Sequence, residues 1–147
     1  MRTVFTALGT LAGCSAARWY LDRTSRGDAE FCRGHVRLRS LWNEGAAFGL
    51  PIPKPLLSCA AGASLGAFLG AALCRRRPSA AAGLLLGGGV SNQLERFLYG
   101  RVYDYVQFPK APAPWRRFIF NLADFAILGG GAGLLLRWSR DRRRGPL

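Results

Sequence analysis

Four apolar runs alternate with polar, arginine-bearing segments along the chain. Thr3 to Ala17 is uncharged and continues past Arg18 through Trp19-Tyr20-Leu21. That is long enough to cross a bilayer if Arg18 snorkels or faces other helices. Pro55 to Cys74 carries no charge and is rich in glycine and alanine, which let helices approach closely. Ser79 to Leu94 is a third run and ends at Glu95-Arg96; Phe118 to Leu136 is a fourth, with Asp124 as its single charge. The pattern predicts an all-α membrane protein with transmembrane helices over about 3–21, 55–74, 79–96 and 118–136. Between the first two helices, Val36 to Trp42 alternates apolar and polar residues, which predicts a short strand and a small β-containing extracytoplasmic segment. Pro51, Pro53 and Pro55 close that segment. The stretch from Tyr99 to Arg117, with Pro109, Pro112 and Pro114, is expected to be a loop, and 137–147 a basic tail. A length of 147 residues fits one domain.

Charge orients this arrangement. The formal net charge is +13, and all but two of the 21 basic residues (Lys54 and Lys110) are arginine. The arginines lie between the apolar runs and at the C-terminus, the placement of membrane-flanking charge, so no nucleic acid is expected as a partner. Four spans put residues 1–2, 74–78 and 137–147 on one side, with nine basic residues in 18 positions; 22–54 and 95–117 hold 11 in 56. The higher density predicts cytoplasmic termini. Cys14, Cys32, Cys59 and Cys74 form no CxxC pair, and His35 is the single histidine, so neither a zinc site nor a Ser-His-Asp mechanism is expected. A second reading applies to the N-terminus: Met1-Arg2, a short apolar core and Leu11-Ala12-Gly13-Cys14 look like a signal peptide ending in a lipobox cysteine. Small residues inside a packed membrane helix give the same pattern.

The candidate chemistry lies between Asn92 and Asp124. A charge inside a membrane segment is costly, so it is by default a functional hypothesis. With the topology above, Asp22, Asn43, Asn92, Arg96, Asp104, Asn121 and Asp124 fall near the outer face, Asp124 six residues inside Phe118, about 9 Å at the helical rise. Asn92 and Arg96 are four apart and Asn121 and Asp124 three apart, so each pair shares a helix face. Two carboxylates brought together share a proton. One then acts as a base on water while the other donates to a carbonyl oxygen, with no metal or other cofactor. Alternatively, Asp124 forms a structural ion pair with Arg96 or Arg101, or serves as a proton site in a small transporter-like bundle.

Four signatures in order resemble the lipoprotein signal peptidases, the type II signal peptidases of bacteria. Asp22 and Arg26 match an Asp followed four residues later by a basic residue, with Arg where Lys is usual. Asn43 to Phe48 matches Asn-x-Gly-Ala-Ala-Phe. Ser91 to Arg96 and Gly100 to Tyr105 match Gly-Asn-x-x-Asp-Arg followed by Gly-x-Val-x-Asp-Phe, with Ser91, Glu95 and Tyr105 as departures. Phe120 to Asp124 matches Phe-Asn-x-Ala-Asp. The resemblance implies an aspartic endopeptidase of the cytoplasmic membrane whose catalytic residues are Asp104 and Asp124. It implies a prolipoprotein substrate cut before its diacylglyceryl-modified cysteine, contact with membrane lipids, and inhibition by globomycin-type peptides. It maps Asn43, Gly45, Asn92, Arg96 and Asn121 to positions that line or support the substrate site, with Asp22 and Arg26 as further supports. A monomer is expected. The alternative is a catalytically inactive relative that binds lipidated peptides or a membrane partner.

Overall fold

A computed structural model describes residues 1–24, 29–44, 54–74 and 79–143. All four apolar runs are helical: α1 (Arg2–Thr24), α2 (Lys54–Cys74), α3 (Ala80–Tyr99) and α4 (Leu122–Arg143). Four short strands complete the fold: β1 (Glu30–Phe31), β2 (Val36–Asn43), β3 (Val102–Gln107) and β4 (Ile119–Phe120). The chain is thus mostly helical with a small antiparallel sheet, ordered β1-β2-β3-β4.

The strand expected at Val36 is present, but the sheet does not lie wholly between the first two helices. Its other half, β3 and β4, falls in the stretch expected to be a loop. Apart from Asp104, the residues Val102 to Val106 are β-branched or aromatic, the composition that favours a pleated, half-buried surface. The fourth helix begins at Leu122 and not near Phe118, because Ile119 and Phe120 pair with Gln107 and Val106. Asp124 therefore lies in the first turn of α4 and not six residues deep. Among the described residues, no helix is long and apolar enough to cross a membrane, unlike the four spans that the runs predict. Glycine, together with Arg18, Glu95 and Asp124, dilutes the hydropathy of α1, α3 and α4.

Packing makes α3 the central helix. Gly83 and Gly87, one turn apart, face α1; a Cβ at Gly87 would lie 2.5 Å from the Ala7 carbonyl oxygen and 2.6 Å from Thr10 Cβ. On the other side, a Cβ at Gly88 would lie 2.6 Å from the Ala123 carbonyl oxygen. Small residues at such spacing let backbones meet directly. Thr3 meets the start of α3 at Ser79, and Arg18 meets Glu95 near its end, so α1 and α3 run parallel. Ala123 against Gly88 and Ala81 against Gly130 make α4 antiparallel to α3. Gly100, left-handed at φ 69°, ends α3 with its N–H on the Arg96 carbonyl at 3.0 Å. The sheet consequently sits at the end of the bundle where α1 and α3 finish and α4 begins. Cys14, the cysteine of the lipobox-like stretch, is buried near the middle of α1.

Gly87→Ala should lower the thermal unfolding midpoint, because an overpacked contact costs about 1–3 kcal/mol. Gly129→Ala, at a position whose Cβ would meet nothing within 4 Å, should be neutral or slightly stabilising, since alanine is the better helix former.

Candidate active site

Two local devices build the site. The first is the start of α4. The Asn121 side-chain oxygen accepts the Asp124 N–H at 3.0 Å, and the Asp124 carboxylate accepts the Asn121 N–H at 3.0 Å. This is a reciprocal capping box, which satisfies amide groups that a helix start otherwise leaves orphaned. The hydroxyl of Tyr105 accepts a further N–H, that of Leu122, at 3.0 Å. The second device is the pairing of β2 with β3. Leu41 lies opposite Asp104 and Asn43 opposite Val102, so Asn43 is a diagonal neighbour of Asp104.

These devices converge. Asn43 Nδ2 donates to Asp104 Oδ2 at 2.9 Å. Asn121 Nδ2 donates to Asp104 Oδ1 at 2.9 Å and to Asn92 Oδ1 at 3.1 Å. Asn92 Nδ2 donates to Asp124 Oδ1 at 3.0 Å. Three asparagines from β2, α3 and the head of α4 thus link two carboxylates in one chain of hydrogen bonds. Both carboxylates line a cavity of about 640 Å³. Arg96 and Arg117 bring positive charge to it, and Leu41, Ile127 and Leu128 add apolar wall.

Burial is the main force on Asp104, which is 4% exposed. It pushes the carboxyl from 3.8 up to about 6; the nearby charge of Asp124 adds to the rise, while the amides of Asn43 and Asn121 oppose it. Asp124 accepts two N–H groups in the first turn of α4, where the helix dipole favours negative charge. The pair therefore presents a carboxyl that readily holds a proton, Asp104, beside a second carboxyl held by two N–H donors. Such a pair can take a proton from water and give one to a carbonyl oxygen. Among the described residues, no ion pair within 4 Å joins Asp124 to Arg96 or Arg101, and Arg101 lies over the Trp42 ring at 4.6 Å. Also among the described residues, no group of three or more His, Cys, Asp or Glu could hold a metal ion.

Of the residues singled out in the sequence, Asn43, Asn92, Arg96, Asp104, Asn121 and Asp124 meet at this cavity. Asp22 does not: it is exposed near the end of α1 and does not line the cavity. Gly45 and Arg26 lie outside the described residues. Arg117, the last residue of the stretch expected to be a loop, closes a 3-10 turn (Trp115–Arg117) and borders the cavity. No motif flagged it. The capping role of Asn121 was signalled by the Asn-x-x-Asp spacing ahead of an apolar run.

A family model described as signal peptidase (SPase) II matches residues 10–140. The chain belongs to the signal peptidase II family. The lipoprotein signal peptidase of Methylorubrum extorquens (strain PA1) is 34% identical over 113 residues, 72% of this chain and 65% of that protein. That of Methylobacterium sp. (strain 4-46) is 36% identical over 117 residues, 73% of this chain and 69% of that protein. The matched stretch therefore spans about two thirds of the length of these curated relatives. Two solved structures share the fold. Both are described as bacterial membrane enzymes determined by the in meso method, one at 2.3 Å and one at 1.9 Å resolution. The first superposes with a TM-score of 0.84 at 18% identity, over 98% of this chain and 91% of that one. The second gives 0.79 at 20% identity, over 92% and 91%.

Two departures from the signal peptidase II pattern have visible contacts. Glu95, in place of Asp, is buried and accepts the Tyr103 N–H at 2.8 Å. Tyr105, in place of Phe, contributes the hydroxyl that accepts the Leu122 N–H, and burial holds its own proton, raising it to about 12.

The Asp104 carboxyl keeps its proton up to about pH 6 when folded but loses it near 3.8 when unfolded. Its protonated form therefore contributes stability that is fully present below 3.8 and lost as pH rises through 6. At about 1.4 kcal/mol per pH unit the loss comes to about 3 kcal/mol. Asp104→Asn should abolish that slope, so its unfolding midpoint should gain on the wild type as pH rises from 4 to 7. A parallel pair of curves would refute the assignment.

Proposed function

We propose that this chain is an aspartic endopeptidase of the bacterial cytoplasmic membrane. It removes signal peptides from diacylglyceryl-modified prolipoproteins and cuts before the lipidated cysteine. The observation that carries the reading is the pair of carboxylates lining one cavity, each held by asparagine amides. Family membership supplies the reaction class.

In this mechanism Asp124, anchored by Asn92 and the head of α4, is the base. It takes a proton from a water, whose oxygen attacks the scissile carbonyl carbon. Asp104 gives its proton to the carbonyl oxygen as the tetrahedral diol forms. Collapse of the diol breaks the C–N bond: one diol hydroxyl returns its proton to Asp104, and the leaving amine takes a proton from Asp124. The charges of Arg96 and Arg117 face the same cavity as the developing oxyanion. The asparagines fix both carboxylates before substrate arrives, so little reorganisation accompanies the reaction.

Membrane residence is supported by the outward faces of the helices. Phe5, Leu8, Leu56, Phe97, Leu128 and Leu135 are all more than half exposed. Such apolar surface is rare on a protein surrounded by water. The solved structures that share the fold are described as membrane enzymes. In this reading four helices span the bilayer, the termini are cytoplasmic, and the sheet and cavity lie near the outer face. The apolar wall of Leu41, Ile127 and Leu128 suits a lipid-modified substrate, and a globomycin-type cyclic peptide competes for the same cavity.

Purified chain in detergent should cleave a diacylglyceryl-modified prolipoprotein. Asp104→Asn and Asp124→Asn should each lower the rate by about 10²–10⁴-fold. Full activity in either variant would sink the two-carboxylate mechanism, and no cleavage by the wild type would overturn the proposed activity. The pH–rate profile of the wild type should be bell-shaped, its two limbs belonging to the pair as a unit.

A further inference from the structure

Arg18 is the charge that interrupts the apolar pattern of α1, and Glu95 is the charged residue on α3 that departs from the family pattern. They meet: Arg18 Nε lies 3.7 Å from Glu95 Oε1, with both side chains largely buried, at 18% and 12% exposure. The two oxygens of Glu95 serve different partners. Oε1 faces Arg18, while Oε2 accepts the backbone N–H of Tyr103 at 2.8 Å. Arg18 is held in turn by Tyr99, whose ring lies 5.0 Å beneath the guanidinium and whose hydroxyl accepts from Nη2 at 3.4 Å.

We propose that Arg18 and Glu95 are a positioning pair for Asp104. Glu95 fixes the amide of Tyr103, the residue directly before Asp104, and Arg18 supplies the counter-charge that keeps the carboxylate in place. Tyr103 is fixed from its other side too. Its side chain is 2% exposed, packs 5.0 Å from Trp42, and shares a hydrogen bond with Ser40 at 2.7 Å. The start of β3 is thereby clamped between the sheet and α3, and the backbone that carries Asp104 has no slack. Glutamate reaches one methylene further than aspartate, which allows it to span from α3 to β3 while Arg18 approaches from α1. Arg18 and Glu95 are thus one device. A carboxylate buried without its cation would turn away from the amide toward solvent or another positive group. The Asp104 carboxyl would then lose the geometry that the asparagines share.

The inference rests on the proposed peptidase activity, and its test separates the two. The full-length chain is purified in detergent with Arg18→Met, with Arg18→Met plus Glu95→Gln, and with Arg18→Met plus Glu95→Leu. The substrate is a diacylglyceryl-modified prolipoprotein, and rates are taken per folded molecule. Arg18→Met should lower kcat about tenfold with KM unchanged, since small misplacement of a reacting group is costly. Adding Glu95→Gln should restore kcat to within about threefold of wild type, because the glutamine oxygen still accepts the Tyr103 N–H without needing a counter-charge. Glu95→Leu, equally uncharged but without an acceptor, should not restore it. Equal kcat in the two double variants, or full kcat in Arg18→Met, overturns the proposal. Both doubles lack an unpaired buried charge, so their comparison stands even where the single variant fails to fold. Deuterium exchange at the Tyr103 amide gives a readout independent of cleavage. It should rise in Arg18→Met and in the leucine double, and return to the wild-type rate in the glutamine double. A wild type that does not cleave overturns the peptidase reading alone. In that case the exchange pattern still decides the pair, and unchanged exchange across the variants refutes it.

Discussion

Asn121 makes four hydrogen bonds at once, and the site hangs on them. Its amide N–H and side-chain oxygen close the capping box with Asp124, while its Nδ2 group donates to Asp104 and to Asn92. A single residue that is 5% exposed therefore starts a helix and joins two carboxylates that come from different elements. Each of those bonds is worth about 1 kcal/mol net, but leaving any of these buried groups unmatched costs more. The geometry is consequently all or none: the start of α4 cannot shift without dragging the two aspartates apart.

Everything above that junction serves to bring three elements to it. Glycines on α3 let α1 and α4 approach to backbone contact, so Asn92 on α3 stands within reach of Asp124 on α4. β2 and β3 present Asn43 to the other carboxylate. The structure thus assigns the helices to distance and the sheet to direction. Neither alone would place Asp104 at the cavity.

The four helices were legible in the sequence, and so was the meeting of Asp104 with Asp124, because long apolar runs and the few carboxylates set between and within them are strong local signals. The strands β3 and β4 were not, since proline at 109, 112 and 114 marks a loop and masks the β-favouring residues Val102, Tyr103, Tyr105 and Val106 that precede it. The start of α4 was misplaced for a related reason. Phe118 to Phe120 is apolar and continuous with the helix, and only cross-strand pairing with β3 makes two of those residues strand. Asp22 was grouped with the site by depth, but depth along a helix does not fix direction, and its side chain faces outward. Arg18 and Glu95 each looked like an anomaly in one dimension; 77 positions separate them, and only the fold makes them neighbours.

The register of β2 against β3 changes between Leu38 and Leu41, where β2 carries one residue more than its partner. That bulge interrupts the strict alternation along Val36 to Trp42. It also divides the strand into two parts with different tolerance to change in length. Loss of one residue at the bulge would leave a regular ladder with Asn43 still opposite Val102. Loss of one beyond it, between Leu41 and Asn43, would turn the asparagine to the opposite face and strip Asp104 of a donor. Changes of length in the segment between α1 and α2 are therefore tolerated up to the bulge without turning Asn43 away from Asp104, and not beyond it.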